Sequence, residues 1–222
     1  MHADIGTYHP PADNGLEILY QDEALLVLNK PSGLLSVPGR GEEKQDSLAR
    51  RVQARIPDAL AVHRLDMCTS GVMVMARGGE MHRTLNRMFQ KREIGKRYIA
   101  VVDGRLAPAC GSVRLPLICD WPNRPRQRVD HEIGKPSITH YRRLEYRPEN
   151  DSSRIELIPE TGRSHQLRVH MLALGHVILG DNLYADPVNR ERAPRLQLHA
   201  CELSLRHPLS GEPMTFHSPA PF

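Results

Sequence analysis

The apolar residues of this 222-residue chain never run far. The longest unbroken stretches, such as Ala24 to Leu28 and Val72 to Ala76, hold five residues and are closed by charged, amide or glycine positions. Runs of that length suit buried β-strands and fall far short of the ~20 residues a membrane-crossing helix needs. With 16 glycines and 18 prolines breaking the chain and 40% hydrophobic residues to fill a core, the pattern excludes a coiled coil, a helical bundle and a disordered polymer. The N-terminal MHADIGTYHPPADNG lacks the basic, apolar, small-residue order of a secretory signal, so a cytoplasmic location is expected. Cys68, Cys110, Cys119 and Cys201 form no CxxC pair and are expected to be reduced thiols.

Ile18 to Tyr20 and Ala24 to Asn29 read as a hairpin around Gln21-Asp22-Glu23, stopped at Pro31-Ser32-Gly33. Helices are expected over 46–56, where Leu48, Val52 and Ile56 recur at helical spacing, over 80–93, and over 164–174, capped by Ser164 and stopped by Gly175. Strands are expected at 72–76, 98–102, 137–144, 154–158, 196–205 and 213–216, and residues 115–131 read as an irregular, arginine-rich segment. Many strands, three helices and no regular βαβ alternation predict an α+β fold with a mixed, largely antiparallel sheet core and flanking helices. Residues 1–15 are expected to form a flexible extension, and 16–222 a single domain.

Charge is unevenly spread. Residues 1–80 carry 8 Lys/Arg against 11 Asp/Glu, and residues 81–222 carry 22 against 15, the excess being mostly arginine. Arginine suits bidentate phosphate contacts and stacking on bases, so a polyanion is the first partner to consider.

Three constellations bear chemistry. His63-Arg64-Leu65-Asp66 forms a polar loop just before a buried strand, where a sheet holds polar groups rigidly yet open; Asp66 would equally serve to end a turn or pair with a neighbouring arginine. Thr161 to His170 places Arg163, His165, Gln166, Arg168 and His170 at a helix start suited to an anion, or simply makes a solvated basic turn over Leu167, Met171 and Leu174. Arg124, Arg126 and Arg128 flank Trp121 as backbone and base contacts of a nucleic acid would, or as an ordinary surface loop. His165 and His170 are five apart with no cysteine pair nearby, so no metal site is expected; GRGEE at 39–43 lacks the Lys-Ser/Thr of a P-loop, so no nucleotide cofactor is expected either.

VHRLDMCTSGV (62–72), Lys96-Arg97-Tyr98 and TGRSHQLRVHMLALGHVILGD (161–181) resemble, in order and spacing, the three motifs of the RluA family of pseudouridine synthases. ILYQDEALLVLNKPSGLLSVPG (18–39), LHACELSLRHP and MTFHSP extend the resemblance over most of 16–222, and LPLICDWPNRPRQ (115–127) resembles the members acting on both ribosomal and transfer RNA. Val177 stands where the family usually has proline, and Cys68 where a small residue is common.

The resemblance implies the family's catalytic fold without a preceding S4 RNA-binding domain, no cofactor, and an enzyme that acts on stem-loops of large-subunit rRNA and tRNA; a monomer is expected. It makes Asp66 the essential carboxylate, Tyr98 the active-site tyrosine and Arg168 the arginine that pairs with Asp66. Contacts to RNA are expected from His63, Arg64, Trp121, Arg124, Arg126, Arg128, Arg163, His165 and Gln166, with Arg64 filling the gap left by a flipped base. Asp66 would either attack C1′ or remove the 2′ proton, and the residues do not choose between these. The rival readings are a synthase with another RNA target, a catalytically inactive RNA-binding module of this fold, and a glycosidase, which would want a second acid beside Asp66.

Overall fold

The computed structural model describes residues 8–222, and the chain divides into two compact units. One comprises the described residues up to Lys96 together with Ala200–Pro221; the other comprises Arg97–His199 and Phe222. Residues 1–7 of the extension expected to be flexible lie outside the described part. Of its remainder, Tyr8 is buried, donates its hydroxyl to the Asp46 carbonyl and accepts the Leu35 N–H, while Arg51 donates to the carbonyls of Pro11 and Ala12.

In chain order the elements are β1 (Ile18–Gln21), β2 (Leu25–Lys30), α1 (Leu48–Gln53), β3 (Ala59–Ala61), β4 (Ser70–Arg77) and α2 (Gly78–Gln90). There follow β5 (Gly95–Asp103), β6 (Cys110–Arg114), β7 (Leu117–Cys119), β8 (Gln127–Val129), β9 (Ile138–Arg147) and β10 (Ser152–Pro159). The chain closes with α3 (Gln166–Ala173), α4 (Pro187–Glu191), β11 (Leu198–Arg206) and β12 (Pro213–His217). Strands β5 and β11 each run from one unit into the other.

The first unit shows why its apolar runs are unbroken. Asp22 makes the first turn by accepting the N–H groups of Ala24 and Leu25, and β2 pairs antiparallel with both β1 and β4. Alternate residues of β2 and β4 then serve opposite faces. Leu25, Val27, Val72, Val74 and Ala76 cluster with Met81 and Leu85 of α2, whereas Leu26, Leu28, Met73 and Met75 cluster with Leu48, Ala49 and Val52 of α1. A sheet covered on both sides needs no polar alternation. Strand β3 adds to β4, and β12 to β11, again antiparallel.

In the second unit β10 lies between β5 and β9, and β9 also pairs with β6, all antiparallel. The α+β expectation therefore holds, but several local expectations need correction. The 115–131 segment is a hairpin: β7 and β8 pair with each other, and the Asp120 N–H closes the loop onto the Arg126 carbonyl. Its strands are three residues each, too short to leave a period in the sequence. Helix α3 starts at Gln166 rather than at a Ser164 cap, because His165 sits at φ 53° and the Gln166 side chain instead accepts the Arg163 N–H. Strands β3 and β6 and helix α4 fall where no element is expected.

Candidate active site

The Asp66 loop belongs to the first unit and is held by the segment that follows β2. The ammonium of Lys30, fully buried, donates to the carbonyls of Pro31 (2.8 Å), Leu34 (2.7 Å) and Met67 (3.1 Å). Ser36 clamps Leu65 from both sides, its Oγ accepting the Leu65 N–H at 3.0 Å and donating to the Leu65 carbonyl at 2.7 Å. The Gly33 N–H reaches the Met67 carbonyl, and the Ser32 hydroxyl the Cys68 carbonyl. The backbone on each side of Asp66 is thus fixed by groups about thirty residues earlier, and Thr69 N–H donates to the Asp66 carbonyl to close the turn. Gly71, at φ 119°, admits no side chain: a Cβ there would lie 2.2 Å from the Ala200 carbonyl oxygen.

Within this loop Asp66 is half-buried and Arg64 exposed. His63 stacks on Phe89 of α2, with ring centroids 4.7 Å apart, and its Nε2 accepts the Val74 N–H at 3.0 Å. Desolvation of the ring, aided by the nearby Lys96 ammonium, pushes its pKa down to about 3, so His63 is neutral at physiological pH and brings no charge to a phosphate. Burial lowers the Lys96 pKa too, with help from Arg92.

Tyr98 and Arg168 belong to the second unit. Tyr98 lies on β5 opposite Leu157 of β10, so the two share a face, while its neighbour Arg97 reaches Glu156 at 3.3 Å. Arg168 on α3 is buried and forks onto the fully buried Asp181, with Nε to Oδ2 at 2.7 Å and Nη2 to Oδ1 at 2.6 Å. Such a fork fixes the guanidinium plane as a single contact does not. Asp181 also accepts the N–H groups of Leu183 and Tyr184, which turns the Tyr184 ring beneath Arg168 at 5.0 Å.

Tyr184 gathers several of the expected residues. Its hydroxyl accepts the Gln127 N–H at 2.7 Å and lies 2.7 Å from His165 Nδ1, and the Arg126 guanidinium sits 5.3 Å from its ring. A cleft of about 300 Å³ opens here, floored by Val169, Leu172, Ala173 and Tyr184 and edged by Arg126 and Arg128. At the hairpin tip Trp121 is 63% exposed with Arg124 stacked 4.1 Å above its ring, and Arg128 pairs with Asp130. Arg163 is exposed. Gln166, by contrast, is buried, and its amide is occupied within the protein by Thr161, Arg163, Ile138 and Thr139. His170 is buried between Thr139 and the Leu115 carbonyl, and desolvation lowers its pKa against the opposing pull of that carbonyl.

Lys30, Ser36, Asp181 and Tyr184 carry these arrangements, and none was singled out from the sequence. Lys30 and Ser36 lie in the 18–39 stretch and Asp181 closes the third motif, whereas Tyr184 falls outside the stretches that carry the resemblance. No group of three or more metal-ligating side chains exists among the described residues. No helix among them is long and apolar enough to cross a membrane.

The sequence profile of RNA pseudouridylate synthases matches residues 24–173. The chain is 57% identical over 215 residues to the dual-specificity RNA pseudouridine synthase RluA of Escherichia coli K12, covering 97% of this chain and 98% of that one. The Haemophilus influenzae protein of the same name is 51% identical over the same shares. Among solved structures, human RNA Pseudouridylate Synthase Domain Containing 1 superposes with a TM-score of 0.79 at 30% identity, covering 96% of this chain and 87% of that one. A profile spanning most of the chain and relatives identical at more than half their positions agree: the chain belongs to the RNA pseudouridylate synthase family.

Proposed function

We propose that this synthase modifies loop uridines in two RNAs, large-subunit ribosomal RNA and the anticodon arm of tRNA, acting in the cytoplasm as a monomer. Asp66 is the essential carboxylate, Tyr98 the tyrosine that stacks on the uracil, and Arg168 the arginine paired with Asp66. The reaction breaks the N1–C1′ bond, turns the detached uracil and rejoins it through C5, which loses a proton while N1 gains one; no electrons are exchanged. The observation that carries the reading is the clamp on Leu65 and Met67, which presents the intervening Asp66 from a fixed backbone. Asp66 acts on the sugar, either at C1′ or at the 2′ proton. An arginine beside a carboxylate favours its ionised form, and the Asp181 fork supplies the orientation for Arg168.

Reaching the glycosidic bond requires the nucleotide to leave its stack, at a cost of a few kcal/mol that contacts to RNA must offset. Arg64, exposed next to Asp66, fills the vacated space. Arg124 on Trp121, with Arg126, Arg128 and Arg163, takes the backbone. The dual-specificity relatives support two substrates rather than one.

The test is site-resolved pseudouridine mapping of total RNA from cells with and without the gene, repeated on the two stem-loops with purified protein. Loss of one rRNA site and one anticodon-arm site together is expected. Loss at a single unrelated RNA would overturn the dual assignment.

A further inference from the structure

The hydroxyl and the ring of Tyr184 serve different neighbours. The hydroxyl meets the backbone of β8 and His165 at the start of α3, while the ring lies against Arg168 and Arg126. Because a backbone N–H can only donate, the Gln127 contact fixes the hydroxyl as acceptor there, and the tyrosine becomes a strut between the arginine hairpin and α3. The same side chain is buried in a cluster with Leu117, Val129, Val169 and Val177, so it has little room to swing. Asp181 sets the tyrosine and the arginine together, through the Tyr184 N–H and the Arg168 fork.

We propose that Tyr184 is a positioning residue that fixes the spacing between the RNA-contacting hairpin and Arg168, its hydroxyl governing substrate engagement and its ring the set of the guanidinium. This inference rests on the reading that the hairpin arginines contact RNA and that Arg168 serves catalysis. It makes two separable demands. Removing only the hydroxyl loosens the hairpin and leaves Arg168 on its ring and its carboxylate. Removing the ring as well loosens Arg168.

The experiment compares Tyr184→Phe and Tyr184→Leu with wild-type protein on an anticodon stem-loop, in single-turnover assays over a range of enzyme concentrations, each protein first confirmed folded by its thermal transition. Tyr184→Phe is expected to raise the half-saturating concentration about two- to tenfold, as loss of about one net hydrogen bond implies, with the saturating rate unchanged. Tyr184→Leu is expected to lower the saturating rate as well. Placed in the Arg124, Arg126 and Arg128 triple-alanine background, Tyr184→Phe is expected to have little further effect, because the hairpin then has no phosphate contacts left to position. A merely structural tyrosine would give the same ratio in both backgrounds, and that additivity would overturn the proposal. So would a Tyr184→Phe variant with wild-type half-saturation, or a Tyr184→Leu variant with the wild-type saturating rate. If the triple-alanine protein itself binds RNA as wild type does, or Arg168→Ala keeps the full rate, the reading of the site fails and the inference with it. If both of those lose function while Tyr184→Phe changes nothing, the inference fails alone.

Discussion

The Lys30 ammonium donates to the Met67 carbonyl at 3.1 Å, tying the end of β2 to the residue that follows Asp66. Two further carbonyls share that ammonium, and the side chain has no exposed surface. Lys30→Met keeps the apolar stem and abandons three buried acceptors, so a loss of about 3 kcal/mol of stability is expected. Urea unfolding gives the number. Catalysis should fall further than RNA binding does, since the Asp66 backbone moves while the arginines of the other unit stay; equal losses in both would show that Lys30 does not act through the loop.

His63 is held neutral with a pKa near 3, whereas an unfolded histidine takes up its proton near 6.5. Between those values the unfolded chain binds the extra proton, so stability falls as pH falls from about 6.5 towards 3. His170 is lowered as well and adds in the same direction. His63→Phe keeps the stack on Phe89 and removes one proton from this difference. Denaturant melts at pH 4, 5, 6 and 7 should therefore show a shallower pH slope, by up to about 1.4 kcal/mol per pH unit, with a lower stability at pH 7 from the lost Val74 acceptor. An unchanged slope would mean that the ring is not neutral in the folded protein.

If Arg124, Arg126 and Arg128 each neutralise a phosphate, replacing all three with alanine should flatten the dependence of log affinity on log salt by about 2, at roughly 0.7 per contact on single strands. Arg128 is shared with Asp130, so its single substitution should have the smallest effect of the three. Binding titrations from low to high salt measure this. An unchanged slope would remove the hairpin from the RNA surface.

Arg168→Lys keeps a positive charge and loses the planar fork that Asp181 receives at 2.7 and 2.6 Å. Single-turnover rates at saturating RNA should drop at least tenfold, with affinity little changed. A near-normal rate would reduce Arg168 to a generic cation.

How much of this could be read from the sequence follows from the range of each interaction. The β2 and β4 runs were legible because a strand buried on both faces is apolar throughout, and so was the loop that carries Asp66, because its polar residues abut such a strand; the role of Asp66 itself came only from the resemblance. Strand β6 was not, since only Val113 of its five residues is buried and no alternation survives. Strands β7 and β8 were hidden by their length. Lys30 acts on a backbone carbonyl 37 residues away and Ser36 on a backbone carbonyl and amide 29 residues away, and nothing in a lysine or a serine announces such a partner. Tyr184 escaped for the same reason: its partners are a backbone N–H, a histidine and two arginines, which only the folded chain assembles. Gln166 looked like an exposed polar contact at a helix start, and its burial follows from the loop that displaces the expected cap.

In the proposed reaction one carboxylate does the chemistry while other residues bind the RNA. Asp66→Asn keeps the shape of the side chain and the clamps on Leu65 and Met67, and removes the charge that either attack at C1′ or removal of the 2′ proton requires. The direct measurement is pseudouridine formation by purified Asp66→Asn on the anticodon stem-loop in a single turnover, alongside its affinity for the same RNA. Product should fall by a thousandfold or more, on the order of what positioned acid–base or nucleophilic groups contribute, with affinity within about twofold of wild type. Substantial product from Asp66→Asn, or a loss of activity fully explained by lost binding, would contradict the assignment.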